Sequence, residues 1–183
     1  MKKEYKSQRL EYQKVVDSHL EFFTEFLGSP VLTRYLPLGH PYPRLDIIDY
    51  CQKRIDHWRR KNFGTFIIST REGSEPVGYC GLEHVRDTDF IDIRYGIKKA
   101  FWGRGYGREA AHWCLAFGFK QLGLQTIYGA AEHGNIPSLT ILKQLGMGSC
   151  CDVDFYGDVV QYFKITKAEY LKNECPSLYG RDS

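Results

Sequence analysis

The stretch Asp92-Ile93-Arg94-Tyr95-Gly96-Ile97-Lys98-Lys99-Ala100-Phe101-Trp102-Gly103-Arg104-Gly105-Tyr106-Gly107-Arg108-Glu109-Ala110 changes character half-way along. Ile91, Ile93, Tyr95 and Ile97 alternate with Asp92, Arg94 and Gly96, the pattern of a strand with one apolar and one polar face. Glycines at 103, 105 and 107 then lead into a helical segment, Glu109 to Leu122. Strand, glycine turn and helix together make the layout of an anion site. The first amides of a helix have no intrahelical acceptor, and the positive end of the helix dipole lies behind them. Glycine lets the backbone approach a phosphate without a Cβ in the way, while Arg104 and Arg108 add charge, with Lys98 and Lys99 just upstream. Taken alone the turn is ambiguous, since glycines before a helix also close ordinary loops.

Two common phosphate-binding layouts are excluded. A dinucleotide fold wants G-x-G-x-x-G after its first strand, with an acidic residue about 20 positions on, but here the turn follows three strands. A Walker A loop, G-x-x-x-x-G-K-[ST], is absent.

Upstream, Leu10 to Val16 reads as a first strand. Asp17 is placed to cap a helix that buries Leu20, Phe23 and Leu27 and stops at Gly28. A Pro-marked loop runs from Ser29 to Pro43. Leu45, Ile48, Cys51, Ile55 and Trp58 then recur at steps of three and four, predicting the buried stripe of a second helix. Phe63 to Thr70, Val77 to Val85 and Phe90 to Ile97 read as an antiparallel meander. Downstream come a short strand, Thr126 to Ala131, a helix from Pro137 to Leu145 that opens at a favoured proline position, and two strands, Gly148 to Tyr156 and Val159 to Ile165. This order is mixed α+β, without the regular alternation of a doubly wound sheet.

At 183 residues the chain fits one domain, 1–183 with its core over about 8–170 and a flexible tail over 171–183, and it is long enough to bury roughly 70% of its unfolded surface. No apolar run reaches the roughly 20 residues of a membrane span, and Met1-Lys2-Lys3 leads into no signal-like apolar segment, so a cytoplasmic protein with no membrane partner is expected. The six cysteines form no C-x-x-C pair and the histidines are scattered, so free thiols and no metal are expected. A net charge of +3 with interleaved signs gives no nucleic-acid stripe.

Against this background the long stretch resembles the GNAT superfamily of N-acetyltransferases, and within it the RimJ- and RimL-like branch, whose acidic-Ile-Gly-Tyr strand is followed by Tyr-Trp-Gly-Lys-Gly-Tyr-Ala-Thr-Glu-Ala. A second block, Asn135-Ile136-Pro137-Ser138 with Leu142-Lys143-Gln144-Leu145-Gly146-Met147, resembles the family's Asn-x-x-Ser helix ending in Leu-Gly-Phe. Arg34-Tyr35-Leu36-Pro37 resembles the branch's acceptor-side loop.

The resemblance implies a mixed, mostly antiparallel sheet of about seven strands with helices on both faces. The strands ending at Ile97 and starting at Thr126 would splay, and the pantetheine arm of acetyl-CoA would enter between them. It further implies that main-chain groups near Ile97 hold the arm and polarise the thioester carbonyl. Gly103, Arg104, Gly105, Tyr106, Gly107 and Arg108, with Lys98 and Lys99, would take the diphosphate, Asn135 the arm, and Ser138 would lie near the sulfur.

Transfer to an amine requires a neutral nucleophile, so a base is needed. Asp92 is the candidate, on the polar face of its strand; its other reading is a strand carboxylate paired across the sheet. Arg94, where relatives carry glycine, is spaced to pair with Asp92, and Leu142 stands where many relatives have a tyrosine acid. Arg34, Tyr35 and His84 are the acceptor-side candidates. The expected partner is an amine, either a peptide N-terminus or a small molecule, and the expected state is monomer or homodimer. The rival expectation is a non-catalytic acyl-CoA-binding module.

Overall fold

The computed structural model describes residues 5–174. An open eight-stranded sheet runs in the order β1-β2-β3-β4-β5-β6-β8-β7. Its first five strands are β1 (Tyr5–Lys6), β2 (Leu10–Lys14), β3 (Thr65–Thr70), β4 (Pro76–His84) and β5 (Ile91–Ile97), all antiparallel to their neighbours. β6 (Thr126–Glu132) lies parallel to β5, and β8 (Val160–Thr166) and β7 (Gly148–Cys150) complete the sheet antiparallel. The strand beyond the expected seven is β1, folded back on β2.

One sheet face carries α1 (Leu20–Leu27), α2 (Pro30–Thr33) and α3 (Arg44–Lys61). Its core joins Phe22, Phe23, Phe26 and Leu27 to Ile47, Cys51 and Ile55, over Ile67 and Tyr79. The other face carries α4 (Tyr106–Ala116), continued by a π-turn over Phe117–Gln121, and α5 (Ile136–Gln144), while α6 (Lys167–Glu174) follows β8. Trp113 stacks on Tyr12 at 3.8 Å and 12°, and on Phe117 at 5.3 Å and 8°. The contact with Tyr12, worth about 0.5–1.5 kcal/mol beyond area burial, fixes α4 against β2 and so places its N-terminus.

Several boundaries differ from the sequence reading. Asp17 opens a 3-10 turn, Asp17–His19, and does not cap α1; the amide of Val16 is taken instead by His19 Nδ1 at 3.0 Å. The stripe on α3 is Ile47, Cys51, Arg54, Ile55 and Trp58, whereas Leu45 is 78% exposed and Ile48 is 40% exposed. Cys51, Ile55 and Trp58 stand as read, while in the first turn Ile47 replaces Leu45 and Ile48, and Arg54 joins the stripe. The long penultimate strand is only Gly148–Cys150. Past it, Asp154 Oδ1 accepts from the Gly157 amide at 2.9 Å and Gly157 takes a φ of 77°, so the chain turns instead of extending. The expected tail begins too early, because residues 171–174 belong to α6, and 175–183 lie outside the described residues.

β5 and β6 meet only at Asp92 and Tyr128 and part beyond that pair, which is the splayed central pair the resemblance implied. The amide of Lys98 donates to Val77 at 2.9 Å, so the even-numbered residues of β5 turn their main-chain groups to β4. Tyr95 and Ile97 therefore turn theirs into the opening.

Candidate active site

The glycine turn sits at the wide end of the splay. Gly103 and Gly105 adopt left-handed φ values of 74° and 77°, which only glycine takes without strain. No heavy atom lies within 4 Å of a Cβ built on Gly103, so its outer side is open. The first helical bond of α4 is Glu109 N–H to Gly105 O at 3.1 Å. Among the described residues, the amides from Gly103 to Arg108 ahead of it have no protein acceptor.

The turn is braced from the connection between β1 and β2. Arg9 donates to the Arg104 carbonyl at 2.8 Å and to Glu109 Oε2 at 2.6 Å, and Glu109 Oε1 takes the Ser7 hydroxyl and the Arg9 amide, each at 2.7 Å. Burial raises the Glu109 pKa, but these donors outweigh it and hold the carboxyl below its usual range. The side chains of Lys99 and Arg108 have no protein partner among the described residues, and the Arg104 guanidinium touches only the Phe101 ring, 5.3 Å away. A ring of amides and three uncommitted cations fits the diphosphate of coenzyme A, with acidic groups confined to the bracing side.

Lys98 does not belong to this ring. Its side chain is only 10% exposed and turns to the opposite face, against Glu25 at 2.7 Å and Glu75 at 3.5 Å. Strand alternation separates it from Lys99. Main-chain groups near Ile97 are also fewer than expected, because the Trp102 indole donates to the Ile97 carbonyl at 2.7 Å. The Ile97 amide and the Tyr95 main chain remain facing the opening.

Beyond the turn, a cleft of about 460 Å³ opens between the loop after α2, α3, β5, β6 and the 151–159 loop, with Tyr35, Asp92, Asn135 and Ser138 in its walls. Asn135 is the N-cap of α5: its Oδ1 accepts from the Ser138 amide at 3.3 Å, leaving its side-chain NH2 unpaired. Tyr95 donates to the Ser138 carbonyl at 3.1 Å and lies within hydrogen-bond reach of the Ser138 hydroxyl as well. Arg34 is exposed, lies over Tyr35 at 5.2 Å, and is not part of the wall. His84 is not either. It lies beside a second, more basic groove, where its amide donates to His57 Nε2 at 3.1 Å. His57 Nδ1 meets the Phe63 carbonyl at 2.7 Å and must donate to it, so His57 is neutral, and burial pushes its pKa down.

Asp92 does face the cleft, but both its oxygens are engaged. Arg94 Nε donates to Oδ1 at 3.0 Å and the Tyr156 hydroxyl donates to Oδ2 at 2.5 Å. Arg94 also reaches Glu83 at 3.1 Å and Tyr156 at 3.2 Å. Glu83, buried, takes the Thr65 hydroxyl at 2.6 Å and has Arg54 3.9 Å away. Burial raises the Glu83 pKa, yet Arg54, Arg94 and Thr65 together outweigh it and pull it down to about 2. The floor is thus a neutral set of two guanidinium groups and two carboxylates, with Tyr156 as its hydroxyl end.

Tyr156 and Arg54 escape sequence reasoning. Tyr156 sits in a loop that strand alternation read as sheet, and Arg54 occupies a helical core position where an apolar residue is the default. Leu142 is 1% exposed in the core below Gly129, so no acid occupies that place.

The acetyltransferase (GNAT) domain family model matches residues 9–148, which contain the glycine turn, the splay and α5. The chain belongs to the GNAT acetyltransferase family. An N-acetyltransferase of Bacillus subtilis, YnaD, is 38% identical over 123 residues, 67% of this chain and 69% of its own. An acetyltransferase structure from Agrobacterium tumefaciens superposes with a TM-score of 0.81 at 18% identity, covering 90% of this chain and 95% of that one. A spermidine N-acetyltransferase from Vibrio cholerae, in complex with CoA and spermine, gives a TM-score of 0.73 at 16% identity over 90% and 99% of the two chains. Among the described residues, no helix is long and apolar enough to cross a membrane, and no group of three or more His, Cys, Asp or Glu could hold a metal ion.

Proposed function

We propose that the chain moves an acetyl group from acetyl-CoA to a primary amine by direct attack in a ternary complex, as a member of the RimJ- and RimL-like branch. The observation that carries this reading is the convergence of three features on one path. The unclaimed amides of 103–108, the unpaired strand edge at Tyr95 and Ile97, and the cleft holding Asn135 and Ser138 follow one another along the splay. Acetyl-CoA supplies the activated acyl group. The turn, with Lys99, Arg104 and Arg108, holds the diphosphate; the Asn135 amide binds the arm; the Ile97 amide faces the carbonyl as an oxyanion donor. The Ser138 hydroxyl, beside the Tyr95 phenol, serves the leaving sulfur with a proton. Asp92, tied to Arg94 and Tyr156, positions the cleft floor.

A non-catalytic acyl-CoA-binding module is the second reading, favoured by one observation: Leu142 is buried core where a tyrosine acid would stand. Thiol release separates the two. Incubation with acetyl-CoA and a panel of primary amines, including peptides with free N-termini, is expected to liberate CoA in proportion to acetylated amine. Tight CoA binding with no release above hydrolysis for any amine would establish the binding module instead.

A further inference from the structure

Two carboxylates line the cleft, and they differ in kind. Asp92 is 4% exposed and held by Arg94 and Tyr156. Glu132, the last residue of β6, is half-buried, and among the described residues nothing donates to its carboxylate. The charges of Arg54, Glu83, Arg94 and Asp92 cancel, so Glu132 gives the cleft its net negative charge.

Its position along the strand matters as much. Ile127, Gly129 and Ala131 face the core below the sheet, so Tyr128, Ala130 and Glu132 share the face of Asp92. Continuing the parallel register from Asp92 and Tyr128 brings Glu132 level with Gly96, across the opening from the Ile97 main chain. Asp92 stands at the closed end of the splay and Glu132 at the open end, where the acyl carbonyl is expected. The remaining walls are largely apolar or aromatic, among them Leu36, Pro37, Tyr35, Tyr50 and Val160.

We infer that Glu132, and not Asp92, is the carboxylate that receives the acceptor, and that the acceptor is a primary amine on an apolar or aromatic body with no anionic group beside the amine. This rests on the transferase reading above. The incoming ammonium gives one proton to Glu132, which passes it to solvent. The neutral nitrogen forms the N–C bond as the C–S bond breaks, and its second transferable proton ends on the departing sulfur. A charge-assisted contact between ammonium and carboxylate in this partly dry site is among the stronger hydrogen bonds a protein makes.

The test uses 2-phenylethylamine, titrated calorimetrically into the protein alone and into CoA-saturated protein. Wild type is expected to bind it, and Glu132→Gln, which keeps the shape, is expected to weaken binding by at least about tenfold, with Glu132→Asp recovering part of the loss. Phenylalanine, which adds a carboxylate beside the amine, is expected to bind at least about tenfold more weakly than 2-phenylethylamine. Thiol release from acetyl-CoA with 2-phenylethylamine should fall in parallel in Glu132→Gln while CoA affinity stays at the wild-type level. Failure of wild type to bind the amine, equal binding by Glu132→Gln, or equal binding of phenylalanine overturns the inference. Loss of CoA binding in wild type, with amine binding still dependent on Glu132, would support the inference and sink the transferase reading alone.

Discussion

Replacing Glu83 by Gln tests the charged floor on which the cleft rests. The substitution keeps the shape and the bond from Thr65 but leaves Arg54, 5% exposed, and Arg94 facing a neutral amide. Breaking a buried pair by removing one partner costs about 3–5 kcal/mol, because the surviving charge is left uncompensated. The titration of Glu83 gives a similar size by a separate route. A carboxyl held at about 2 against its usual 4.5 corresponds to ~3 kcal/mol of linkage. Against a typical domain stability of about 5–15 kcal/mol this is a large fraction. The sign follows from the depressed value: the contribution is fully present above pH 4.5 and is lost as pH falls through about 2, once wild type protonates Glu83 as well. Urea unfolding followed by tryptophan fluorescence should therefore show a gap of about 3 kcal/mol at pH 7 that narrows steadily below pH 4.5. A gap under about 0.5 kcal/mol at pH 7, or one that stays constant down to pH 3, would refute the reasoning.

Three further outcomes are expected. Gly107 has ordinary backbone angles, and a Cβ there meets only Ile141 at 3.3 Å and Ile97 at 3.5 Å, so Gly107→Asp should fold but lose the thermal shift that saturating CoA gives wild type, about 2.7 kcal/mol at a hundredfold excess over Kd. Glu109→Ala removes the acceptor of three bonds from Ser7 and Arg9, and should cost about 1–3 kcal/mol of stability and weaken CoA binding, both read from denaturation and calorimetry. Tyr156→Phe deprives Asp92 Oδ2 and Arg94 of their shared hydroxyl and should cost about 1 kcal/mol in urea unfolding, with CoA affinity unchanged.

The fold was legible wherever period and turn chemistry agreed. The meander, the glycine turn and α5 with its Pro137 start all stand within a few residues of their expected bounds. Reading failed where tertiary partners override local pattern. Arg54 is core because Glu83 waits beneath it, and no helical template places a guanidinium in a buried stripe. The 151–159 segment alternates like a strand, yet Asp154 and Gly157 turn it so that Tyr156 lands on Asp92. For the site, the residues on the turn were visible in the sequence, since backbone amides depend only on local geometry. Side-chain commitments were not: Lys98 faces Glu25, His84 faces His57, and the pairing of Asp92 with Arg94 was foreseeable from spacing while its bond to Tyr156 was not.

The central claim concerns the amides of Gly103 to Arg108, and 15N-resolved NMR of the protein titrated with CoA observes them directly. The largest downfield amide shifts are expected at Gly103, Gly105 and Gly107, reaching a plateau at one equivalent, with the core amides of β3 unmoved. Saturation with CoA that leaves those three resonances in place, or that moves residues remote from the turn instead, would contradict the account.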